Sequence, residues 1–109
     1  MKTAENLNQI KDAIDSSEAL LLYVSAPNCS VCEALRPKIE KLFKTRFPKI
    51  ELLRADISQI PQLGGEFSLF GAPAILLFFD SKEYLREGRN LSLSLLEQKT
   101  EKLYRLFFD

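Results

Sequence analysis

Two uninterrupted apolar runs dominate the pattern of hydrophobic and polar positions, at residues 19–24 and 74–79. Continuous apolar runs of this length are typical of central strands that are covered on both faces of a sheet. A third strand is predicted at 50–56. A fourth, more polar strand is predicted at about 84–87, after turn-forming residues at 80–83.

Between these strands, apolar residues recur every three or four positions, the period of an amphipathic helix. The pattern predicts helices at 5–16, at about 33–44, and from near Ser92 to the end of the chain, where it packs on the sheet. Residues 58–70 contain Pro61 and Gly64-Gly65, and they predict a short helical or irregular connection. Strands that alternate with helices predict an α/β fold with parallel strands, closed by an antiparallel hairpin and a helix.

Length and composition indicate a single domain over residues 1–109. Lys and Arg number 15 and are balanced by 15 Asp and Glu, so nothing indicates a nucleic-acid partner. The N-terminal residues show no apolar signal segment, and no apolar run is long enough to cross a membrane. We therefore expect a monomeric cytoplasmic protein that contacts neither nucleic acid nor membrane.

The chain has only two cysteines, and they form the motif Cys29-Ser30-Val31-Cys32. The motif follows the first apolar strand and opens the helix at about 33–44, so the thiols lie near the first turn of that helix. Backbone N–H groups in a first turn lack intrahelical partners, and the helix dipole is positive there. A thiolate is stabilised in such a place, and the thiolate is the reactive form of cysteine. The motif therefore indicates a redox dithiol, with Cys29 reactive and Cys32 behind it.

Three other interpretations of the cysteine pair remain open. A structural zinc site needs about four ligands, which this chain, with two cysteines and no histidine, could reach only with carboxylates or a second chain. A permanent disulfide would close a very small loop and gain little entropy. Two inert buried thiols fit poorly with Pro27, Asn28 and Ser30, which are typical of an exposed loop. Redox chemistry is the best-supported interpretation, and no resident metal is expected.

A second signal is the segment Gly71-Ala72-Pro73-Ala74, which precedes the second uninterrupted apolar strand. Proline cannot donate to a sheet ladder, so Pro73 must begin that strand, and a cis Ala72–Pro73 bond is one way to turn the chain there. Together with the cysteine motif and Pro37 in the following helix, this layout resembles the thioredoxin family over nearly the whole chain.

The resemblance implies a thioredoxin fold, with a central mixed sheet of four or five strands flanked by helices. The first edge strand, around Lys2 and Thr3, is expected to be short or absent. The resemblance also implies that Pro73 is cis and lies beside the dithiol, and that the backbone of Ala72 pairs with a substrate peptide. Pro27, Asn28, Ala72 and Phe70 are expected to surround the exposed sulfur.

Several positions depart from the family pattern. Asn28 stands where thioredoxins usually carry tryptophan, and Ser30-Val31 replaces their Gly-Pro pair. Tyr23 stands in place of a buried aspartate that assists proton transfer at the second thiol. We expect Tyr23 to be either a core aromatic whose hydroxyl finds a partner or a donor toward Cys32. Arg54 stands where thioredoxins carry a lysine near the buried thiol, and it is either a surface side chain or a charge that favours the Cys32 thiolate.

The predicted activity is dithiol–disulfide exchange, with Cys29 as nucleophile and Cys32 as resolving thiol. Ser30, Val31, Tyr23 and Arg54 are expected to tune it. Neither Ser30 nor Val31 carries a charge that could stabilise a thiolate. We therefore expect the pKa of the Cys29 thiol to be lowered only modestly, and we expect a reducing role. The expected partners are protein disulfides and an upstream disulfide reductase, with no cofactor beyond the cysteine pair. The alternative is a binding module or a thiol sensor dedicated to one partner.

Overall fold

The computed structural model describes residues 1–109. In chain order, the elements are β1 (Lys2–Thr3), α1 (Leu7–Ser16), β2 (Ala19–Ser25), α2 (Ser30–Arg46), β3 (Glu51–Asp56), α3 (Leu63–Glu66), β4 (Ala74–Phe79), β5 (Lys82–Glu87) and α4 (Leu93–Phe108).

The strands form one mixed sheet in the order β1-β3-β2-β4-β5. Strands β1, β3 and β2 run parallel, whereas β4 pairs antiparallel with both β2 and β5. The sheet therefore has five strands, the larger of the two numbers expected. The first edge strand is present but spans only two residues, and the Ala4 N–H extends its pairing by donating to the Arg54 carbonyl oxygen over 2.8 Å.

Each face of the sheet carries its own apolar cluster. The α1–α3 cluster packs the apolar sides of α1 and α3 on one face and includes Ile10, Leu22 and Leu63. The α2–α4 cluster covers the opposite face and includes Leu21 and Phe43. Neighbouring residues of β2 therefore point into different clusters, as expected of a doubly covered central strand.

Helix α4 packs against the sheet, as the sequence pattern predicts. It begins after Ser92, whose side-chain oxygen accepts a hydrogen bond from the Leu95 N–H over 3.3 Å. Its inner face buries Leu96 and Thr100, while Leu106 near its end is 74% exposed. No helix in the structure is both long and apolar enough to cross a membrane.

Four element starts differ from the sequence-based expectation. Helix α1 begins at Leu7 instead of residue 5, and β3 begins at Glu51 instead of residue 50. Helix α2 begins at Ser30 instead of residue 33, because Cys29 itself is the N-cap. Strand β5 begins at Lys82 instead of Tyr84, because the hairpin turns through only Asp80 and Ser81. Both turn residues have positive φ, 53° and 67°, which is the geometry of a two-residue turn that matches the twist of paired strands.

The topology places the sequence motifs at one end of the sheet. The parallel strands β2 and β3 finish together, with Ser25 opposite Asp56. Strand β4 starts at this same end, because Ala74 pairs with Val24. The cysteine segment that follows β2 and the proline that precedes β4 therefore lie at the same end of the sheet.

Candidate functional site

A disulfide joins Cys29 and Cys32, whose Cα atoms are 5.2 Å apart. The two residues differ in access to solvent: Cys29 is partly exposed, whereas Cys32 is buried, with 1% of its surface accessible. A reagent from solution can therefore reach Cys29 more easily than Cys32. A nucleophilic Cys29 and a resolving Cys32 would require such an asymmetry.

The sulfur of Cys29 is the side-chain cap of helix α2. The Cys32 N–H donates to the Cys29 Sγ over 3.2 Å, and the Glu33 N–H donates to the Cys29 carbonyl oxygen over 3.2 Å. Asn28 immediately before has a φ of 57°, a left-handed conformation that asparagine tolerates better than most residues. In the reduced protein, the same N–H group and the positive end of the helix would favour a thiolate at Cys29.

Tyr23 lies directly beneath the dithiol in the core. Its side chain is fully buried, and its hydroxyl donates to the backbone carbonyl oxygen of Cys32 over 2.8 Å. Burial raises the pKa of Tyr23 to about 12, an effect that the nearby positive charge of Arg36 opposes and the negative charge of Glu33 reinforces. The hydroxyl therefore stays protonated at neutral pH. Its partner is the Cys32 backbone, and a protonated phenol cannot accept the proton of the Cys32 thiol.

A cleft of about 510 Å³ surrounds Cys29. Four residues singled out from the sequence lie in its wall, namely Pro27, Asn28, Ser30 and Arg54. The resemblance places Arg54 near the buried thiol, and the structure places it in the cleft of the exposed cysteine. The remaining predicted tuning residue, Val31, is partly exposed in the first turn of α2.

The structure adds polar residues to this cleft that the sequence did not single out. They are Thr3, Ser25, Glu33 and Asp56. They come from β1, from the ends of β2 and β3, and from the first turn of α2. Ser25 and Glu33 flank the cysteine motif in the sequence, whereas Thr3 and Asp56 reach the cleft only through the strand order, so no local sequence pattern could have found those two.

A second groove of about 740 Å³ contains Phe70, Ala72 and Pro73. The Ala72–Pro73 bond is cis, as the resemblance implies, and Phe70 is completely exposed. Arg89, from the segment between β5 and α4, donates to the Ala72 carbonyl oxygen over 3.5 Å. The residues expected around the exposed sulfur are thus divided between two depressions at one end of the sheet, Pro27 and Asn28 in the first and Phe70 and Ala72 in the second.

Comparison with known proteins places this site in a family. A family model for thioredoxin matches residues 2–101. The chain is 35% identical over 107 residues to the thioredoxin-like protein YdfQ of Bacillus subtilis (strain 168), an alignment that covers 98% of this chain and 95% of that protein. It is 31% identical over 78 residues to thioredoxin-2 of Pyricularia oryzae, which covers 72% of this chain and 45% of that protein.

Solved structures show the same fold at lower sequence identity. Plasmodium falciparum thioredoxin superposes with a TM-score of 0.82 at 18% identity, over 94% of this chain and 98% of that one. The oxidized form of mitochondrial thioredoxin 3 from Saccharomyces cerevisiae gives a TM-score of 0.77 at 20% identity, over 96% of this chain and 93% of that one. The family match and the disulfide-forming Cys29–Cys32 pair together support thiol–disulfide oxidoreductase chemistry, and the chain belongs to the thioredoxin family.

Proposed function

We propose that this protein reduces protein disulfides, with Cys29 as the nucleophile and Cys32 as the resolving thiol. The observation that carries the proposal is the asymmetry of the cysteine pair. The sulfur of Cys29 caps a helix in an open cleft, whereas Cys32 is buried behind it. An external disulfide would therefore meet Cys29 first, and Cys32 would be reserved for the internal second step.

The reaction proceeds in two exchanges. The Cys29 thiolate attacks one sulfur of the substrate disulfide, and the other substrate sulfur leaves as a thiolate and takes a proton from water. Cys32 then loses its proton and attacks the Cys29 sulfur, which releases the second substrate sulfur as a thiolate. Two electrons pass from the dithiol to the substrate, and the protein ends as the Cys29–Cys32 disulfide. An upstream disulfide reductase would return two electrons to that disulfide.

The residues around the cysteine pair have different roles in this proposal. The Cys32 N–H donates to the Cys29 sulfur and favours its ionised form. Ser30 and Val31 carry no charge, so they can adjust packing and access but not the charge balance. Ala72 and Pro73, at the same end of the sheet, would hold the substrate backbone, as the family resemblance implies, with Pro27 and Asn28 on the side of the attacked sulfur.

Insulin reduction tests the proposal directly, with dithiothreitol as the electron source. Wild-type protein should accelerate the precipitation of insulin chains, and Cys29→Ser should remove the acceleration entirely. Cys32→Ser keeps the nucleophile but lacks the resolving thiol, so when it is mixed with insulin in the absence of dithiothreitol it should accumulate a mixed disulfide through Cys29. A wild type that is folded by far-UV circular dichroism but inactive on insulin would overturn the assignment as a general reductase.

The alternative function is that of a binding module or redox sensor dedicated to one partner. Tyr23 favours this alternative, because its hydroxyl, with a pKa raised to about 12, cannot take the proton of Cys32 during resolution. A slow second step would suit a sensor better than a general reductase. Slow insulin turnover, combined with a Cys29–Cys32 disulfide that exchanges with small thiols, would support the sensor.

We further propose that the protein works as a cytoplasmic monomer with no cofactor beyond the cysteine pair. Its partners would then be protein disulfides and the upstream reductase, without nucleic acid or membrane. Sedimentation of the reduced and oxidised forms tests the monomer, since a dimer in either form would contradict it.

A further inference from the structure

We infer that Arg54 recognises a carboxylate on the substrate, so that the preferred substrates are disulfides with an acidic group close to the attacked sulfur. The inference rests on the proposed function and concerns the same cleft.

Three charged residues line this cleft, namely Glu33, Arg54 and Asp56. One oxygen of the Asp56 carboxylate has partners within the protein, since Oδ1 accepts hydrogen bonds from the Ser58 N–H over 2.8 Å and from the Ser58 hydroxyl over 2.7 Å. Glu33 faces the Arg36 guanidinium on the next turn of α2, at 3.5 Å. Both acidic groups of the cleft therefore have partners of their own.

Arg54 differs because it takes part in none of the ion pairs of the structure. Its side chain also makes no hydrogen bond, although its backbone is fixed in β3 between Thr3 of β1 and Tyr23 of β2. Arg89, which lines the second groove, is by contrast already directed at the Ala72 carbonyl oxygen. In the cleft that contains the reactive cysteine, Arg54 is thus a positively charged residue whose side chain has no partner within the protein.

A guanidinium offers up to five N–H donors and matches the two oxygens of a carboxylate. Because Arg54 is partly buried, such a pair is screened less than one on an open surface. The cleft of about 510 Å³ has room for one substrate side chain beside the attacked sulfur. A substrate carboxylate placed there would pair with Arg54, whereas a substrate ammonium group would be repelled by it.

The test uses three disulfide-linked peptides that differ only at the residue following one cysteine, which is Asp, Asn or Lys. The protein is reduced, freed of reductant and mixed with each peptide, and the rate of single-turnover reduction is measured. Neighbouring charge changes the intrinsic reactivity of a disulfide, so each rate is divided by the rate of the same peptide with dithiothreitol.

For wild type, we expect the normalised rates to fall in the order Asp, Asn, Lys. The expected Asp-to-Lys ratio is roughly three- to tenfold, between the values for an exposed ion pair and for a hydrogen bond to a charged group. Arg54→Gln should bring this ratio close to one, and Arg54→Lys should keep part of it because it keeps the charge. A role of Arg54 in thiolate stabilisation alone would slow all three peptides equally and leave the ratio unchanged.

Arg105→Gln is the matched control, because Arg105 is exposed in the last turn of α4, where Phe107 stacks on Phe79 at the end of the sheet opposite the cleft. It should retain the wild-type ratio. Equal normalised rates for the three wild-type reactions, or a preference for the Lys peptide through Glu33 and Asp56, would overturn the inference while leaving the reductase function intact. Reduction of none of the peptides would overturn the proposed function, and the inference with it.

Discussion

At the scale of single residues, Tyr23 connects the central strand to the helix that carries the dithiol. Its hydroxyl donates to the Cys32 carbonyl oxygen over 2.8 Å, close to the start of α2. Pro37 in the same helix has no N–H to donate to the Glu33 carbonyl, one residue beyond Cys32. The tyrosine therefore adds a tertiary contact to a helix turn that has one fewer backbone hydrogen bond.

The raised pKa of Tyr23 predicts a loss of stability at high pH. Below about pH 10, the phenol is protonated in both the folded and the unfolded chain, so its full contribution is present. Between about pH 10 and a folded pKa of about 12, the unfolded chain ionises first, so the free energy of unfolding falls by about 1.4 kcal/mol per pH unit, about 3 kcal/mol in all. Urea unfolding across this range should therefore show a steeper decline for wild type than for Tyr23→Phe.

Tyr84→Phe is the control, because Tyr84 is 45% exposed as a residue and its hydroxyl makes no hydrogen bond within the protein. The free energy of unfolding of this variant should fall at alkaline pH as steeply as that of wild type. At pH 7, Tyr23→Phe should cost about 1 kcal/mol for the lost hydrogen bond. Identical alkaline declines for Tyr23→Phe and wild type would show that Tyr23 does not carry the effect.

At the scale of elements, the β4–β5 hairpin shows how a short turn without glycine is formed. Asp80 and Ser81 both adopt positive φ, a conformation that aspartate tolerates but a β-branched residue does not. The Asp80 N–H donates to the Glu18 carbonyl oxygen over 2.9 Å, and its side chain is exposed. The identity of this side chain should therefore affect stability through the backbone alone.

Asp80→Val should destabilise the protein by about 1–2 kcal/mol, the cost of a left-handed conformation for a residue with a branched Cβ. Asp80→Asn should be nearly neutral, because asparagine accepts this conformation. Lys82→Val places the same side chain two residues later, at an exposed position in an extended strand where valine is favoured. Urea midpoints that fall equally for both valine variants would contradict the backbone explanation.

The bounds of a strand or helix can be predicted well from the sequence where apolar residues form a continuous run. They are predicted less well where the first residue of an element depends on a single capping atom. Strands β2 and β4 were predicted almost to the residue, since their doubly buried positions leave a long apolar run. The start of α2 was placed three residues late, because a cysteine sulfur rarely serves as a helix cap. Strand β1 was uncertain because its two residues are exposed and carry no burial pattern.

For the candidate site, too, some residues could be predicted from local sequence and others could not. The reactive pair could be read from its spacing, and Pro27, Asn28 and Ser30 from their position beside it. Which distant residues share the Cys29 cleft depends on the strand order, so Thr3 and Asp56 could not be found from local sequence. The partner of the Tyr23 hydroxyl was also undecided, because the geometry that selects the Cys32 backbone is tertiary.

At the scale of the whole molecule, the two apolar clusters share the strands of a single sheet. Leu21 and Leu22 are both fully buried neighbours in β2, yet the first belongs to the α2–α4 cluster and the second to the α1–α3 cluster. Because both clusters pack on the same strands, a loss of packing on one face must also disturb the packing on the other face. We therefore expect the two halves to unfold as one cooperative unit.

The three tyrosines allow this expectation to be tested, because all of them lie on the α2–α4 side. Tyr23 belongs to that cluster, Tyr104 packs against it, and Tyr84 contacts its Phe79 ring edge-on, with 6.1 Å between ring centroids. Tyrosine fluorescence thus reports on one face of the sheet, whereas far-UV circular dichroism reports on all the helices and strands.

Leu22→Ala removes side-chain volume from the face that has no tyrosine, and it should cost about 2–5 kcal/mol, as expected for a buried leucine. If the loss of packing on one face destabilises the whole sheet, the urea midpoints from fluorescence and from circular dichroism should fall together. Leu21→Ala is the matched variant, with the same substitution one residue earlier on the tyrosine face, and it should also move both midpoints together. A fluorescence midpoint that stays at the wild-type value in Leu22→Ala, while the dichroism midpoint falls, would show that the two faces unfold separately. In that case the dithiol and Tyr23, which both depend on the α2–α4 side, could outlast the loss of the opposite face.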